Sequence, residues 1–566
     1  MTDTLLSASD KLVHELTVAT DASIGVIAIR CPETEVYRVV DDLYALAMSQ
    51  KTNFRMHTSE LGWQEFQRVD PEDTRATPFD PMEPQNSDKH TADILKAFEK
   101  LYGSKDGSGF PDDGFFVMLD LYYSFGEMAT QTRIRKQAQR SLNNGQRLFL
   151  VVPMSAEIPE ALAPLMHVIN FEYPTLGELG DTLDDVLSAL DDEDKPEIDD
   201  DQRATILSNG LGMTTNAFET AVALSITEYS AANETLEGFS ADDIMDSIRT
   251  YKTQMLRKTN VLELQPTIPE DQIGGLDLFK EWMHQRKMTF TDMAKENNVT
   301  PSRGALVIGP PGTGKSLVAK AAGSILNLPV IRFDVGRVFN QYVGQSEQSM
   351  RGVLALIDAM APCVLMVDEI DKGFAGMNGG SGGDSGTTQR VFGTFLTWMQ
   401  ERNQKERPVF LIMTANRVHG LPPELLRRGR IDEIWSVNVP NDDEREAIID
   451  IHLTKRGQSV ETGDMKAAVR ITKDLVGAEI EALVEDALVL SLGGETPGVT
   501  YEYIETAKET LKEMSKTRAE EFEAMQAWAA QNARPASSPM QSSNTTKPTT
   551  GLRRPGKKPR AKVTRK

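Results

Sequence analysis

Two cysteines, Cys31 and Cys363, are all that 566 residues contain, and each sits within or beside an apolar run. A disulfide framework does not fit that scarcity, so reduced, partly buried thiols are expected. Long hydrophobic runs are missing too. No stretch approaches the ~18 to 20 uninterrupted apolar residues needed to cross a bilayer, so no membrane span is expected. The opening residues, MTDTLLSASDKLVHEL, lack the basic start and apolar stretch of a secretion signal, and a cytoplasmic location is expected. What is present is ordinary for globular domains: 40% hydrophobic and 26% charged residues. The length calls for several folded units of roughly 100 to 200 residues each.

Positive charge is scarce except at one end. From Arg534 to Lys566 there are ten lysines and arginines and no acid, so a net charge of -23 leaves -33 on residues 1–533. The body would repel nucleic acid. The tail, PASSPMQSSNTTKPTTGLRRPGKKPRAKVTRK, has too few apolar groups to offset the entropy of ordering it and reads as disordered over 534–566. It is either a solvated basic segment or a contact for nucleic acid or another acidic surface. The acidic run DDEDKPEIDDD at 191–201 reads as a solvated linker.

The most informative stretch is GPPGTGKS, residues 309–316, directly after the apolar Ala305-Leu306-Val307-Ile308. Gly309, Gly312 and Gly314 permit backbone angles and close approaches that a side chain forbids, so successive N–H groups can point at phosphate oxygens. Lys315 adds positive charge at the β and γ phosphates. Ser316 offers a hydroxyl to Mg²⁺, and the helix that follows offers its positive end to the anion. A phosphate cradle alone serves a GTPase, a kinase or a nucleotide store equally well.

About fifty residues on, Cys363-Val364-Leu365-Met366-Val367 reads as a buried strand ending in Asp368-Glu369. Parallel sheets deliver groups to a cradle from such strand ends. Asp368 would hold Mg²⁺ largely through water, and Glu369 would polarise an attacking water. A third apolar strand, Val409 to Met413, ends in Thr414-Ala415-Asn416. Asn416 is either a turn former or a hydrogen-bonding partner of the γ-phosphate or the water. In LPPELLRRGRIDE, 421–433, Arg427 and Arg430 lie three apart around Gly429. They would stabilise charge on a transferring phosphoryl group from a neighbouring subunit, or pair with Glu424, Asp432 or Glu433.

Taken together, these residues resemble the AAA family of hexameric ATPases over 265–515, most closely the hypothetical chloroplast reading frame 46 type. IGGLDLFKEWMHQRKMTF, DKGFAG, GDSGTTQRVFGTFLTWM and TANRVHGLPPELLRRGRIDEIWSV carry that likeness. The resemblance implies ATP and Mg²⁺ as cofactors. It places Gly309, Pro310, Pro311, Gly312, Thr313, Gly314, Lys315, Ser316 and Leu317 on the phosphates, with Ser316 and Asp368 toward the metal. Glu369 and Asn416 become catalytic, and Arg427 and Arg430 become arginine fingers acting in trans. Ile273-Gly274 would close over adenine, with His452, Gly477 and Ala478 of a helical lid flanking base and ribose. Without the resemblance, His452 reads as a core histidine.

Tyr342-Val343-Gly344 resembles the aromatic-hydrophobic-glycine loop that grips an extended polypeptide in the pore of ring-forming relatives. A tyrosine buried under its own loop is the competing reading. Many relatives carry Glu where Gln345 stands. Seven glycines from Gly373 to Gly386 suggest a second loop, facing the pore or simply the surface. No HExxH occurs, since His14-Glu15 is followed by Leu-Thr-Val, so the zinc-protease branch of the family is disfavoured.

The first 237 residues repeat the pattern of strands ending at acids. FVMLDL parallels VLMVDEI, LFLVVP parallels VFLIMTAN, and HVINFEYPTLGELGDTLDDVL parallels EIWSVNVPNDDEREAIIDIHL. A degenerate AAA-like α/β domain is expected over 1–237, because CPETEVY replaces the glycine-rich cradle. A polar insertion of loops around one helix spans 61–113, and a helical part spans 204–237. A helical linker follows at 238–264 with Ser240 as N-cap, then the ATPase core at 265–440, the lid at 441–515 and a C-terminal helix at 516–533. The function expected from the resemblance is an ATP-hydrolysing homo-oligomer, a hexamer, that threads or remodels a protein substrate. The alternatives are a nucleic-acid-associated ATPase tethered by its tail and a slow ATP-dependent assembly scaffold.

Overall fold

Two seven-stranded sheets account for the apolar runs, and a computed structural model describes residues 7–66, 86–88, 93–102, 110, 113–154, 156, 158–339, 346–374, 385–417, 421–422, 424–425, 427, 429–493, 498–511 and 519–538. The first sheet comprises β1 (Val26–Cys31), β2 (Phe54–Thr58), β3 (Gly62–Phe66), β4 (Asn86–Asp88), β5 (Gly114–Met118), β6 (Gln146–Pro153) and β7 (His167–Asn170). The second comprises β8 (Leu262–Gln265), β9 (Gly304–Ile308), β10 (Val330–Phe333), β11 (Cys363–Val367), β12 (Val409–Ala415), β13 (Glu433–Ser436) and β14 (Arg534–Pro535).

The two sheets share one strand order. In the first sheet β2-β5-β6-β1-β7 are all parallel neighbours, and in the second β10-β11-β12-β9-β13 are. Each array carries one antiparallel strand outside its first member, β3 on β2 and β8 on β10. β5, β6 and β7 thus correspond to β11, β12 and β13, as the sequence parallels require. Strands flanked on both sides in a parallel sheet lose both faces to the core, and β9, β11 and β12 are buried at every residue.

Several boundaries differ from expectation. The insertion at 61–113 contributes β3 and β4 as well as the helix Ile94–Tyr102. Trp63 draws β3 inward, its indole N–H donating to the Ala97 carbonyl at 3.0 Å. In the linker, the helix Ala241–Lys258 is followed by strand β8, which pairs with β10 because Leu262 is buried in the second core. That helix also belongs to the N-terminal fold: Ile244 and Ile248 pack with Leu183, Ile206 and Phe218 of the helices Leu176–Ser188, Asp200–Gly210 and Thr215–Asn233. Ser240 does start it, with its backbone N–H and hydroxyl both donating to Asp243, at 2.9 and 2.7 Å. The acidic run ends in a cap, since Asp199 accepts from the Gln202 N–H at 2.7 Å.

The basic tail does not begin as loose chain. Arg534 lies over the Trp435 ring at 4.8 Å and pairs with Glu433 at 3.2 Å, while Arg534–Pro535 extends the sheet edge as β14. Residues 539–566 lie outside the described residues.

The chain divides into two compact units, one of 1–273, 278–438 and 518–536, the other of 274–277, 439–517 and 537–566. The second unit is helical, built from Asp442–Thr454, Thr462–Ile471, Gly477–Ser491 and Tyr501–Thr510 around Leu453, Leu475, Ile480 and Ala487.

Candidate functional site

β9 is the strand from which the site is built. It runs into residues 309–314 and then the helix Lys315–Leu326, with Gly312 and Gly314 at φ of 77° and 91°. Those angles strain any residue with a Cβ. Gly309 is glycine for another reason: a Cβ there would lie 2.1 Å from the Val437 carbonyl oxygen, where the chain leaves β13. Within the loop the Pro310 carbonyl accepts from the Thr313 hydroxyl at 2.9 Å and from Lys315 Nζ at 2.7 Å. Lys315 is only 6% exposed. Burial pushes its ammonium down to about 8, opposed by the nearby carboxylates of Asp368, Asp371 and Glu369. Ser316 is half-buried and Leu317 is exposed on the first helical turn.

The acids stand at the end of β11, beside the end of β12. Thr414, fully buried, joins them: its hydroxyl accepts the Glu369 N–H at 2.9 Å and donates to Asp368 Oδ1 at 2.5 Å. Glu369 takes φ of 50°, a left-handed conformation uncommon for a residue with a side chain. Its Oε1 accepts from Asn416 Nδ2 at 3.1 Å, and its Oε2 from Lys372 Nζ at 2.6 Å. The Asn416 N–H is held by Asp371 Oδ1 at 3.1 Å, and Arg332 approaches Asp368 at 3.9 Å. The structure therefore brings together Lys315, Asp368, Glu369 and Asn416. Thr414, Asp371, Lys372 and Arg332 were not singled out from sequence, although the hydroxyl in Thr414-Ala415-Asn416 was a readable signal.

The two arginines lie in the segment joining β12 to β13. Arg427 is exposed, while Arg430 donates to the Glu424 carbonyl at 2.6 Å and lies 3.5 Å from Gln400 Oε1. Two of the three acids that could pair with them are used elsewhere: Asp432 accepts the Arg303 N–H at 2.7 Å, and Glu433 pairs with Arg534. Tyr342, Val343 and Gly344 lie outside the described residues, as do 375–384.

Ile273 closes the first unit, buried, with its carbonyl accepting from Lys280 Nζ at 2.6 Å. Gly274 opens the second, where a Cβ would stand 2.7 Å from Ile448 Cγ1. His452, on the helix Asp442–Thr454, has its Nδ1 3.6 Å from Glu481, and burial lowers its pKa against the pull of that carboxylate. Gly477 and Ala478 begin the helix Gly477–Ser491.

The residues fit a magnesium nucleotide. A buried lysine whose hydrogen bond goes to a loop carbonyl, a loop set by two positive-φ glycines, a serine at a helix start and a strand-end carboxylate are suitable partners for phosphate and a hard cation. Among the described residues no cluster of three or more His, Cys, Asp or Glu could hold a metal ion by itself. No helix among the described residues is long and apolar enough to cross a membrane.

Fold and loop together define a nucleotide-binding P-loop domain of the AAA class, and the model of the ATPase family associated with various cellular activities matches residues 305–439. The AAA domain-containing protein ycf46 of Pyropia yezoensis is 33% identical over 73% of this chain and 81% of its own length. Its counterpart in Guillardia theta is 31% identical over 73% and 78%. The cell division cycle protein 48 homolog of Archaeoglobus fulgidus is 31% identical over 49% of this chain and 37% of its own length. The chain belongs to the ycf46-type AAA domain-containing proteins.

Proposed function

We propose that the chain hydrolyses ATP with Mg²⁺ at the Lys315 loop and works as a homo-oligomeric ring, a hexamer, that remodels a protein substrate. The observation that carries the reading is the meeting of a buried cation, two strand-end acids and a polar strand-end amide at the ends of three neighbouring strands. Lys315 and the backbone N–H groups of 312–316 bind the phosphates. Ser316 and Asp368 hold magnesium, which supplies charge neutralisation at the β and γ phosphates. Glu369 takes the proton of the attacking water, and Asn416 orients that carboxylate. Arg427 and Arg430 of an adjoining protomer offset charge on the transferring group. Ile273, Gly274, His452, Gly477 and Ala478 take the adenosine. Tyr342-Val343-Gly344 grips the polypeptide.

Glu369→Gln tests the reading. The variant should bind ATP, release it unhydrolysed and retain protein substrate during purification in ATP. Turnover at the wild-type rate would remove Glu369 from the chemistry.

A further inference from the structure

We infer that the N-terminal domain is held closed by its own side chains at the place equivalent to the phosphate loop, so that its closure does not depend on nucleotide. β1 occupies the position of β9 in the shared strand order. The turn after it, residues 32–35, enters the helix Val36–Ser49 as residues 309–314 enter Lys315–Leu326. In place of glycines and a lysine the turn offers Glu35, only 1% exposed.

Glu35 Oε1 accepts the backbone N–H of Thr215 at 2.5 Å, at the start of the helix Thr215–Asn233. Helix starts present unpaired N–H groups and partial positive charge, and commonly take a bound anion. Here the carboxylate comes from the chain itself. One residue earlier, the Thr34 hydroxyl donates to that of Thr214 at 2.9 Å. Arg38, in the first turn of the helix after β1, donates to the Thr215 hydroxyl at 2.8 Å, lies 3.6 Å from Glu35 and pairs with Glu178. Glu178 in turn accepts the backbone N–H of Thr175 at 2.8 Å and of Ala8 at 3.1 Å. Four segments are thereby tied: the turn after β1, the segment after β7, the start of Thr215–Asn233 and the first helix, Ala8–Asp21. Breaking one member leaves a half-buried charge without its partner, which is costly.

The closed domain abuts the ATPase sheet. Glu172, beside the clamp, pairs with Arg407 at 2.5 Å, just before β12, and Tyr173 packs against the core of the second sheet. A Cβ on Gly212 would lie 2.1 Å from Met360 Cγ, just before β11. These are the starts of the two strands whose far ends carry Asp368 and Asn416. A clamp that needs no nucleotide makes the N-terminal domain a fixed brace for those strands throughout a nucleotide cycle.

Hydrogen–deuterium exchange on the full chain, with and without a non-hydrolysable ATP analogue, tests this. In the wild type the amides of 214–218 should exchange at one rate whatever the nucleotide, with no more than a single nucleotide bound per chain. Arg38→Ala should raise exchange there by about tenfold in both conditions, with nucleotide binding unchanged. Glu35→Gln keeps the volume but loses the charge facing Arg38, and should raise exchange severalfold; it serves if Arg38→Ala does not fold. Protection of 214–218 by the analogue, a second bound nucleotide, or wild-type exchange in a folded variant would each overturn the inference.

Discussion

The side-chain amide of Asn416 donates to Glu369 Oε1 across 3.1 Å and so joins the end of β12 to the end of β11. A hydrogen bond to a charged group contributes about 1.5 to 3 kcal/mol. If that bond orients Glu369 for proton transfer, Asn416→Ala should lower kcat by roughly 10- to 100-fold with KM for ATP little changed. Steady-state turnover across ATP concentrations separates this from a mere turn former, which would leave kcat alone.

Thr414 ties the two acids together from a fully buried position. Thr414→Val keeps the shape and leaves the Glu369 N–H and Asp368 Oδ1 without that partner, costing about 1 to 3 kcal/mol. Chemical denaturation should show the loss and the ATPase assay a fall in kcat, while Thr414→Ser should restore both.

Lys252 gives a pH prediction away from the nucleotide. It is 4% exposed, donates to the carbonyls of Asn209 and Leu211 at 2.9 and 2.7 Å, and burial pushes its ammonium down to about 8 from 10.5. Between those values the unfolded chain holds the proton and the folded chain does not, so this group adds stability as pH rises from about 8 to about 10.5. Below pH ~8 the cost of the buried charge is fully present. The stability of the wild type relative to Lys252→Met should therefore climb through that window by up to about 3 kcal/mol, measured by denaturant titration at several pH values. A difference that stays flat would mean that Lys252 titrates normally.

What could be read from sequence followed from local chemistry. β9 and the loop after it announced themselves because a fully buried strand meets a glycine-rich turn, and the strand-end acids followed from the same logic. The shared order was legible because FVMLDL, LFLVVP and HVINFEYP fall in the sequence in the order of their ATPase counterparts. The strands that escaped notice depend on distant partners. β3 needs the pocket that takes Trp63, β8 needs the free edge of β10, and β14 exists because Trp435 and Glu433 receive Arg534. The Thr414 hydroxyl is legible in Thr414-Ala415-Asn416, but its two partners are not, since they lie beyond the end of another strand. Gly309 was credited to phosphate alone, whereas the Val437 carbonyl also demands it.

The central claim is that triphosphate is bound by the loop of Lys315 and cleaved beside Asp368 and Glu369. Steady-state ATP turnover of Lys315→Ala beside the wild type, at saturating Mg²⁺, tests it most directly. The account predicts that nucleotide binding and turnover are both lost while the fold is retained. Undiminished turnover in the variant would contradict it.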